Sequence, residues 1–330
     1  MGPLMNNSRE EEYPRSCNDE KYIIASFYKF VPISNLDKLQ NTLYHICRNL
    51  GISGTILLAD EGINGTIAGT RNSIKDIYKW FCDQPNLNGL QIKYSKDTSV
   101  PFHRLKVRIK REIVTMGQQG IDPTSNVGNY VDPLDWNSLL KEDNTIVIDT
   151  RNHYEVEIGT FDKALNPRTN SFREFPAWVA GTLEKLPNIN KESKIAMFCT
   201  GGIRCEKATS YLKDRGYKNV FHLEGGILKY FEDVSDEENL WNGECFVFDN
   251  RVSLKKDLKP GEYLMCHACR MPLAQKDLES KKYSPGVHCP KCFGTHTEKQ
   301  VKRFKDRQRQ MELSNLRGEK HLGGIIKQDG

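Results

Sequence analysis

Hydrophobic positions along the first third of the chain follow two different periods. Tyr22–Phe30 is rich in aromatic and β-branched residues and reads as a strand. Leu36, Leu39, Leu43, Ile46 and Leu50 then recur at helical spacing, with Ser34 or Asn35 placed to cap the helix. Residues 54–59 and 65–68 form two further apolar runs around the turn Asp60-Glu-Gly-Ile-Asn64. A second helix is predicted from about 73 to 82, and more strands at 91–94 and Leu105–Ile109. The order strand-helix-strand-strand-helix-strand is that of a ferredoxin-like α+β domain, here residues 21–115.

A turn-rich connector, 116–135, follows, with Gly117, Gly120, Pro123, Gly128 and Pro133. Residues 136–243 then alternate apolar strands (Thr145–Asp149, Lys194–Phe198 and 220–223) with helical stretches. That alternation predicts an α/β domain, a parallel sheet with helices on both faces. Chemistry in such sheets collects at the carboxyl ends of strands. Asp149, Cys199 and the turn Glu224-Gly225-Gly226 all fall there. From 244 the chain offers a strand-like run at 245–248 and a cysteine-rich module extending to 298. It ends in a basic, helix-forming stretch within 299–330. Residues 1–20 are polar, with acidic residues at 10–12, and read as a disordered start rather than a secretory signal.

Composition narrows the class. No apolar run approaches the eighteen residues of a membrane span. The net charge of +5 is too mild to argue for a polyanionic partner, so local clustering has to. Ten cysteines without a visible signal peptide indicate reduced thiols and a cytoplasmic protein.

Cys199-Thr200-Gly201-Gly202-Ile203-Arg204-Cys205 joins a predicted strand to a predicted helix. A cysteine there faces loop N–H groups and the positive helix end, both of which favour thiolate. The two glycines permit an anion-cradling nest, and Arg204 is expected to turn its charge toward the anion. Cys-based phosphatases place five residues between cysteine and arginine. Here there are four, a smaller cradle suited to a sulfur atom. Against this stands an inert, buried Cys199. Cys205 either attacks a sulfenic acid, persulfide or mixed disulfide on Cys199, or packs beneath the loop. In Phe172-Arg173-Glu174-Phe175-Pro176 the aromatic residues are expected to stack a base or line a pocket above the loop. Arg173 and Glu174 there join Thr200, Gly201, Gly202 and Ile203 as candidate cradle residues. Asp60 and Glu61 are acid/base candidates, though a capped turn is the commoner role. His103, His153 and His222 read as structural.

Cys266-x-x-Cys269 and Cys289-x-x-Cys292 lie nineteen residues apart, a zinc-ribbon interval. Four thiolates close the zinc shell, so the ion would be structural and His267 and His288 unnecessary. A redox-active dithiol pair and opportunistic metal binding are the competing readings. Lys299, Lys302, Arg303, Lys305, Arg307 and Arg309 make either a solvated helix face or a track for an RNA backbone. Arg104-Leu-Lys-Val-Arg-Ile-Lys-Arg111 alternates charged and apolar residues up to Arg111, which on a strand sends the charges to one face.

Residues 136–235 resemble a rhodanese domain through Asp149-x-Arg151, the cysteine loop and His222-Leu-Glu-Gly-Gly226. The resemblance widens with Gly54-Thr-Ile-Leu-Leu-Ala-x-Glu-Gly-Ile-Asn-Gly-Thr-Ile-Ala-Gly69, Arg104-Leu-Lys-Val-Arg-x-Lys-x-Glu-Ile-Val114 and Phe172-Arg-Glu-Phe-Pro176. Over roughly 21–295 the chain is similar to the bacterial rhodanese-like tRNA uridine-34 hydroxylases. That resemblance implies oxygen-dependent hydroxylation of the wobble uridine to 5-hydroxyuridine. It implies O₂ as co-substrate, the tRNA anticodon loop as partner and an electron donor that sequence does not name. Cys199 would either add to C6 of uracil or carry the oxygen as a persulfide or peroxidised sulfur. No flavin, haem, iron or nicotinamide is expected, since no matching motif occurs. Two other functions compete: small-molecule sulfur transfer from Cys199, and RNA binding by a zinc-stapled protein with an inert rhodanese domain.

Overall fold

The computed structural model describes residues 22–318. The expected disordered start at 1–20 and the tail beyond 318 lie outside the described residues. The first unit contains β1 (Tyr22–Phe30), α1 (Leu36–Asn49), β2 (Ser53–Ala59), β3 (Gly62–Gly69), α2 (Arg71–Asp83) and β4 (Gln91–Asp97). Its strands run in the order β4-β1-β3-β2, with β5 (Leu105–Ile109) added parallel to β2. Alternation decides the faces. Ile23, Ala25, Phe27, Ile56, Leu58, Ile63 and Ile67 form one core with Leu43, Cys47, Ile74, Ile77 and Phe81 of the helices. The opposite face presents Ser26, Tyr28, Asn64, Thr66 and Lys93 to a cavity. Thr70 caps α2 through Ser73 N at 3.2 Å. Asn35 precedes α1 in the left-handed region (φ 56°) and makes no side-chain cap, contrary to the expected capping role. Asparagine tolerates that backbone conformation better than most residues do.

The connector expected at 116–135 is only partly a connector. β6 (Asn129–Val131) pairs in parallel with β10 (Asn219–Leu223), and α3 (Pro133–Leu140) starts within the expected linker. Three residues are too few to show a period, so this edge strand carried no pattern. Asp132 caps α3 through Leu134 N at 2.9 Å, with Pro133 in the first turn. The second unit continues through β7 (Thr145–Asp149), α4 (His153–Val156), β8 (Gly159–Phe161) and α5 (Phe175–Gly181). After these come β9 (Lys194–Phe198), α6 (Ile203–Asp214), β10, α7 (Gly226–Asp233) and β11 (Trp241–Gly243). Its sheet, β6-β10-β9-β7, is parallel throughout. One core contains Ile148, Val179, Ile195, Cys199 and Cys205. The other contains Trp136, Phe161, Phe198, Tyr230 and Trp241. Cys245 belongs to the second core, so the boundary expected at 244 falls inside a packed cluster. The strand expected at 245–248 is confined to Cys245–Phe246, paired with Ser253–Leu254.

The two units are fastened through α6. Lys207, almost fully buried, reaches Glu61 and Glu112 at 2.7 Å each. Glu61 also accepts from Ile113 N at 2.7 Å, and Asn64 donates to Ile113 O at 2.9 Å. The turn between β2 and β3 is thus an anchor. A 19-residue helix, Glu298–Leu316, follows the cysteine module, and its Arg307 donates to the carbonyls of His267 and Gly286.

Candidate active site

β9 delivers Cys199 to the carboxyl end of the parallel sheet, and the chain turns there through Gly202 (φ 98°) into α6. Gly202 N donates to Cys199 Sγ at 3.2 Å. The second glycine turn, ahead of α7, braces the loop: Ile227 N bonds Cys199 O at 3.0 Å and Leu228 N bonds Thr200 O at 3.1 Å. Gly226 has φ 69°, and a Cβ there would lie 2.5 Å from Cys199 O and 2.7 Å from Gly202 N. Gly201 faces open space.

Cys199 is closed to bulk solvent yet forms part of the wall of a cavity of about 370 Å³. Burial works against ionising its thiol. A hydrogen bond from Cys205, the Arg204 charge and the N–H groups of both residues outweigh it and bring the pKa down to about 5. Cys205 has the opposite fate. Burial and the neighbouring thiolate hold its proton in place, and it lies 3.6 Å from Thr150 Oγ1. It does not line the cavity; it sits under the loop as donor to Cys199.

Arg204 lines the cavity, but its guanidinium is already engaged. Its Nη1 and Nη2 donate to Glu155 at 2.6 and 2.8 Å, and Nη2 lies 3.4 Å from Thr200 Oγ1. Its charge still acts on Cys199, but a carboxylate neutralises most of it. Arg151 is likewise engaged, held in the interior by Asp149 and Gly159 O at 2.6 Å each. Arg173 and Glu174 are exposed and do not line the cavity. The same segment contributes Asn170, Ser171 and Phe172 instead, while Phe175 is a core residue stacked on Phe172. A 3-10 turn at Phe172–Glu174 points the aromatic inward and the charges out.

Sequence reasoning missed the polar groups that gather around Glu206, most of them from the first unit. Tyr28 OH and Tyr130 OH donate to the two oxygens of Glu206 at 2.8 Å each. Burial raises the Glu206 carboxyl pKa, and the two phenols oppose that shift. Lys93 is 8% exposed, lines the cavity, and has its ammonium 4.9 Å from the Tyr28 ring centroid. It makes no ion pair among the described residues. Burial lowers its pKa to about 8, with Cys199 and Glu206 pulling the other way. The alternation of β1 and β4 was the available signal, since both residues lie on the faces left polar by the core.

Cys266, Cys269, Cys289 and Cys292 converge, with all four sulfurs within 4.8 Å of one another. Three of the separations are 3.9, 3.7 and 3.7 Å. A tetrahedral zinc ion with bonds of about 2.3 Å requires sulfurs about 3.8 Å apart, so the cluster fits zinc. His288 Nδ1 lies 3.0 Å from Lys282 O instead of joining the cluster.

A family model described as the UPF0176 acylphosphatase like domain matches residues 22–113, and a rhodanese-like domain model matches 133–233. Solved structures give partial matches. A rhodanese-related protein from Thermoplasma volcanium is 23% identical over 32% of this chain and 92% of its own, with a TM-score of 0.25. The rhodanese-like domain of an Anabaena protein is 18% identical over 36% and 80%, with a TM-score of 0.29. A curated relative from Teredinibacter turnerae, named tRNA uridine(34) hydroxylase, is 51% identical over 92% of this chain and 93% of its own. With that identity across both units and the cysteine module, the chain belongs to the tRNA uridine(34) hydroxylase family.

Proposed function

We propose that the protein hydroxylates C5 of uridine 34 in tRNA, using O₂ and an external electron donor, with Cys199 as nucleophile. The relative of that name supports the substrate, and the Cys199 thiolate in the wall of a cavity supports the nucleophile. The thiolate adds to C6 of the uracil, and the C5=C6 electrons move to O4 as an enolate. Lys93 faces the same cavity and offers a positive charge to that oxygen. C5 then bonds to O₂. An electron pair and protons from the donor cleave the O–O bond, leaving hydroxyl on C5 and releasing water. Loss of the C5 proton expels Cys199 and restores the ring. Cys205 keeps its proton throughout and steadies the thiolate. Cys266, Cys269, Cys289 and Cys292 would hold zinc in a structural role, four thiolates filling its shell. The setting is the cytoplasm, where such thiols stay reduced.

Nucleoside mass spectrometry of tRNA from a deletion strain, complemented with wild type or Cys199→Ala, tests this reading. Wild type should restore 5-hydroxyuridine and Cys199→Ala should not. Unchanged 5-hydroxyuridine in the deletion strain would end the proposal. Oxygen dependence is tested separately by anaerobic growth, which should deplete the modification.

A further inference from the structure

A second cleft, of about 980 Å³, lies between the first unit and the cysteine module. Its walls carry Arg104 and Lys106 on one side and Arg270 and Tyr283 on the other. Lys106 on β5, with Arg104 just before it, extends the polar sheet face that lines the cavity of Cys199 at β4, β1 and β3; Leu105 and Val107 point to the helix side. None of Arg104, Lys106 and Arg270 has an ion-pair partner among the described residues. The carboxylate in the lining, Asp249, is already held by Arg251 at 2.9 and 2.6 Å. Burial, and then the crowding of Arg104, Arg108 and Arg270, hold the Lys106 amine below its ordinary range. The lining therefore carries three cationic side chains and no free carboxylate.

It adjoins the cavity of Cys199. Phe248 lines both and is 65% exposed, unusual for a large apolar ring. It meets Phe246 at 82° with centroids 5.0 Å apart, and the Arg204 guanidinium stands 5.9 Å from its centroid. Fixed positive charges beside an exposed aromatic are what a single RNA strand requires: phosphates on the charges and a base on the ring.

Resting on the reading of tRNA as substrate, we propose that this cleft binds the single-stranded RNA next to the target uridine. Arg104, Lys106 and Arg270 take its phosphates. Phe248 stacks the neighbouring base as the uridine passes into the cavity of Cys199.

The test is fluorescence anisotropy with the full-length protein and a labelled anticodon stem-loop oligoribonucleotide. Arg104→Glu/Lys106→Glu, on the wall facing the cysteine module, should bind about tenfold or more weakly than wild type. The slope of log affinity against log salt should fall by about 1.4, roughly 0.7 for each lost contact to a single strand. Phe248→Ala should weaken binding by roughly five- to a hundredfold. Lys75→Glu/Lys79→Glu on α2, across the sheet, is the control and should bind like wild type. Unchanged zinc content and melting temperature establish that each variant is folded. Wild-type affinity in the Arg104/Lys106 variant, or an equal loss in the α2 control, overturns the assignment. Displacement of RNA by polyglutamate as readily as by unlabelled RNA also overturns it and makes the cleft a site for acidic polypeptide. Cys199→Ala should bind RNA normally and form no 5-hydroxyuridine. If that variant still hydroxylates while the cleft variants lose RNA, the nucleophile falls and the cleft assignment stands.

Discussion

Glu155 and Arg204 form a two-pronged ion pair at 2.6 and 2.8 Å, with the carboxylate fully buried and the guanidinium nearly so. Removing one member of such a pair leaves the other charge without compensation. Glu155→Gln is expected to lower unfolding stability by about 3–5 kcal/mol, read by urea denaturation. The double variant Glu155→Leu/Arg204→Met should recover most of that loss while raising the Cys199 pKa. If Glu155→Gln melts like wild type, the pair does not hold the loop.

Activity should depend on pH through two groups with separate roles. Cys199 is reactive above about 5, where its thiolate forms, and Lys93 loses its charge above about 8. The initial rate should therefore rise through the first value and decline through the second. Lys93→Met should lower the plateau and abolish the upper decline. A profile that keeps its alkaline limb in that variant would assign the limb elsewhere.

Cys205→Ala tests the donor under the loop. A hydrogen bond to a charged group contributes about 1.5–3 kcal/mol, and about 1.4 kcal/mol corresponds to one pH unit. The midpoint of Cys199 alkylation by iodoacetamide should move up by about one to two units. No movement would mean that Arg204 and the loop amides set the thiolate alone.

Gly226 and Gly201 should respond differently to alanine. A Cβ on Gly226 meets Cys199 O and Gly202 N, whereas one on Gly201 meets nothing within 4 Å. Gly226→Ala should displace the cysteine loop, lowering the melting temperature and slowing Cys199 alkylation. Gly201→Ala should melt like wild type. Differential scanning calorimetry of the two variants decides the matter.

The cysteine cluster should yield a single zinc ion per chain by elemental analysis. Cys289→Ser should release it and remove hydrogen-exchange protection across 264–292, leaving the Cys199 alkylation midpoint unchanged. An iron content in place of zinc, or none, would refute the assignment.

Strands and helices with a clear hydrophobic period were legible in the chain, as were the cysteine loop and the zinc knuckles, because each is a local pattern. What escaped was long-range and polar. Tyr28 and Glu206 are 178 positions apart, and nothing in an aromatic on a strand announces the carboxylate it will bond. Arg204 looked free because its partner lies 49 residues upstream, in a helix of four residues. Asn129–Val131 was too short to read as a strand. In Phe172-Arg173-Glu174 the segment was legible but the side facing inward was not, since a tight turn, not a period, decides it.

The wall opposite Cys199 is made of side chains that leave the ribosome long before the cysteine does. Ser26, Tyr28, Thr66 and Lys93 fold with the first unit, which has its own apolar core. An N-terminal unit commonly folds during synthesis. A first unit folded in that order would present a finished half-chamber to α6, onto which Lys207 and Glu206 dock the loop. The rhodanese unit expressed by itself would leave its thiolate facing water and peroxide, open to irreversible oxidation. The first unit thereby shields the sulfur.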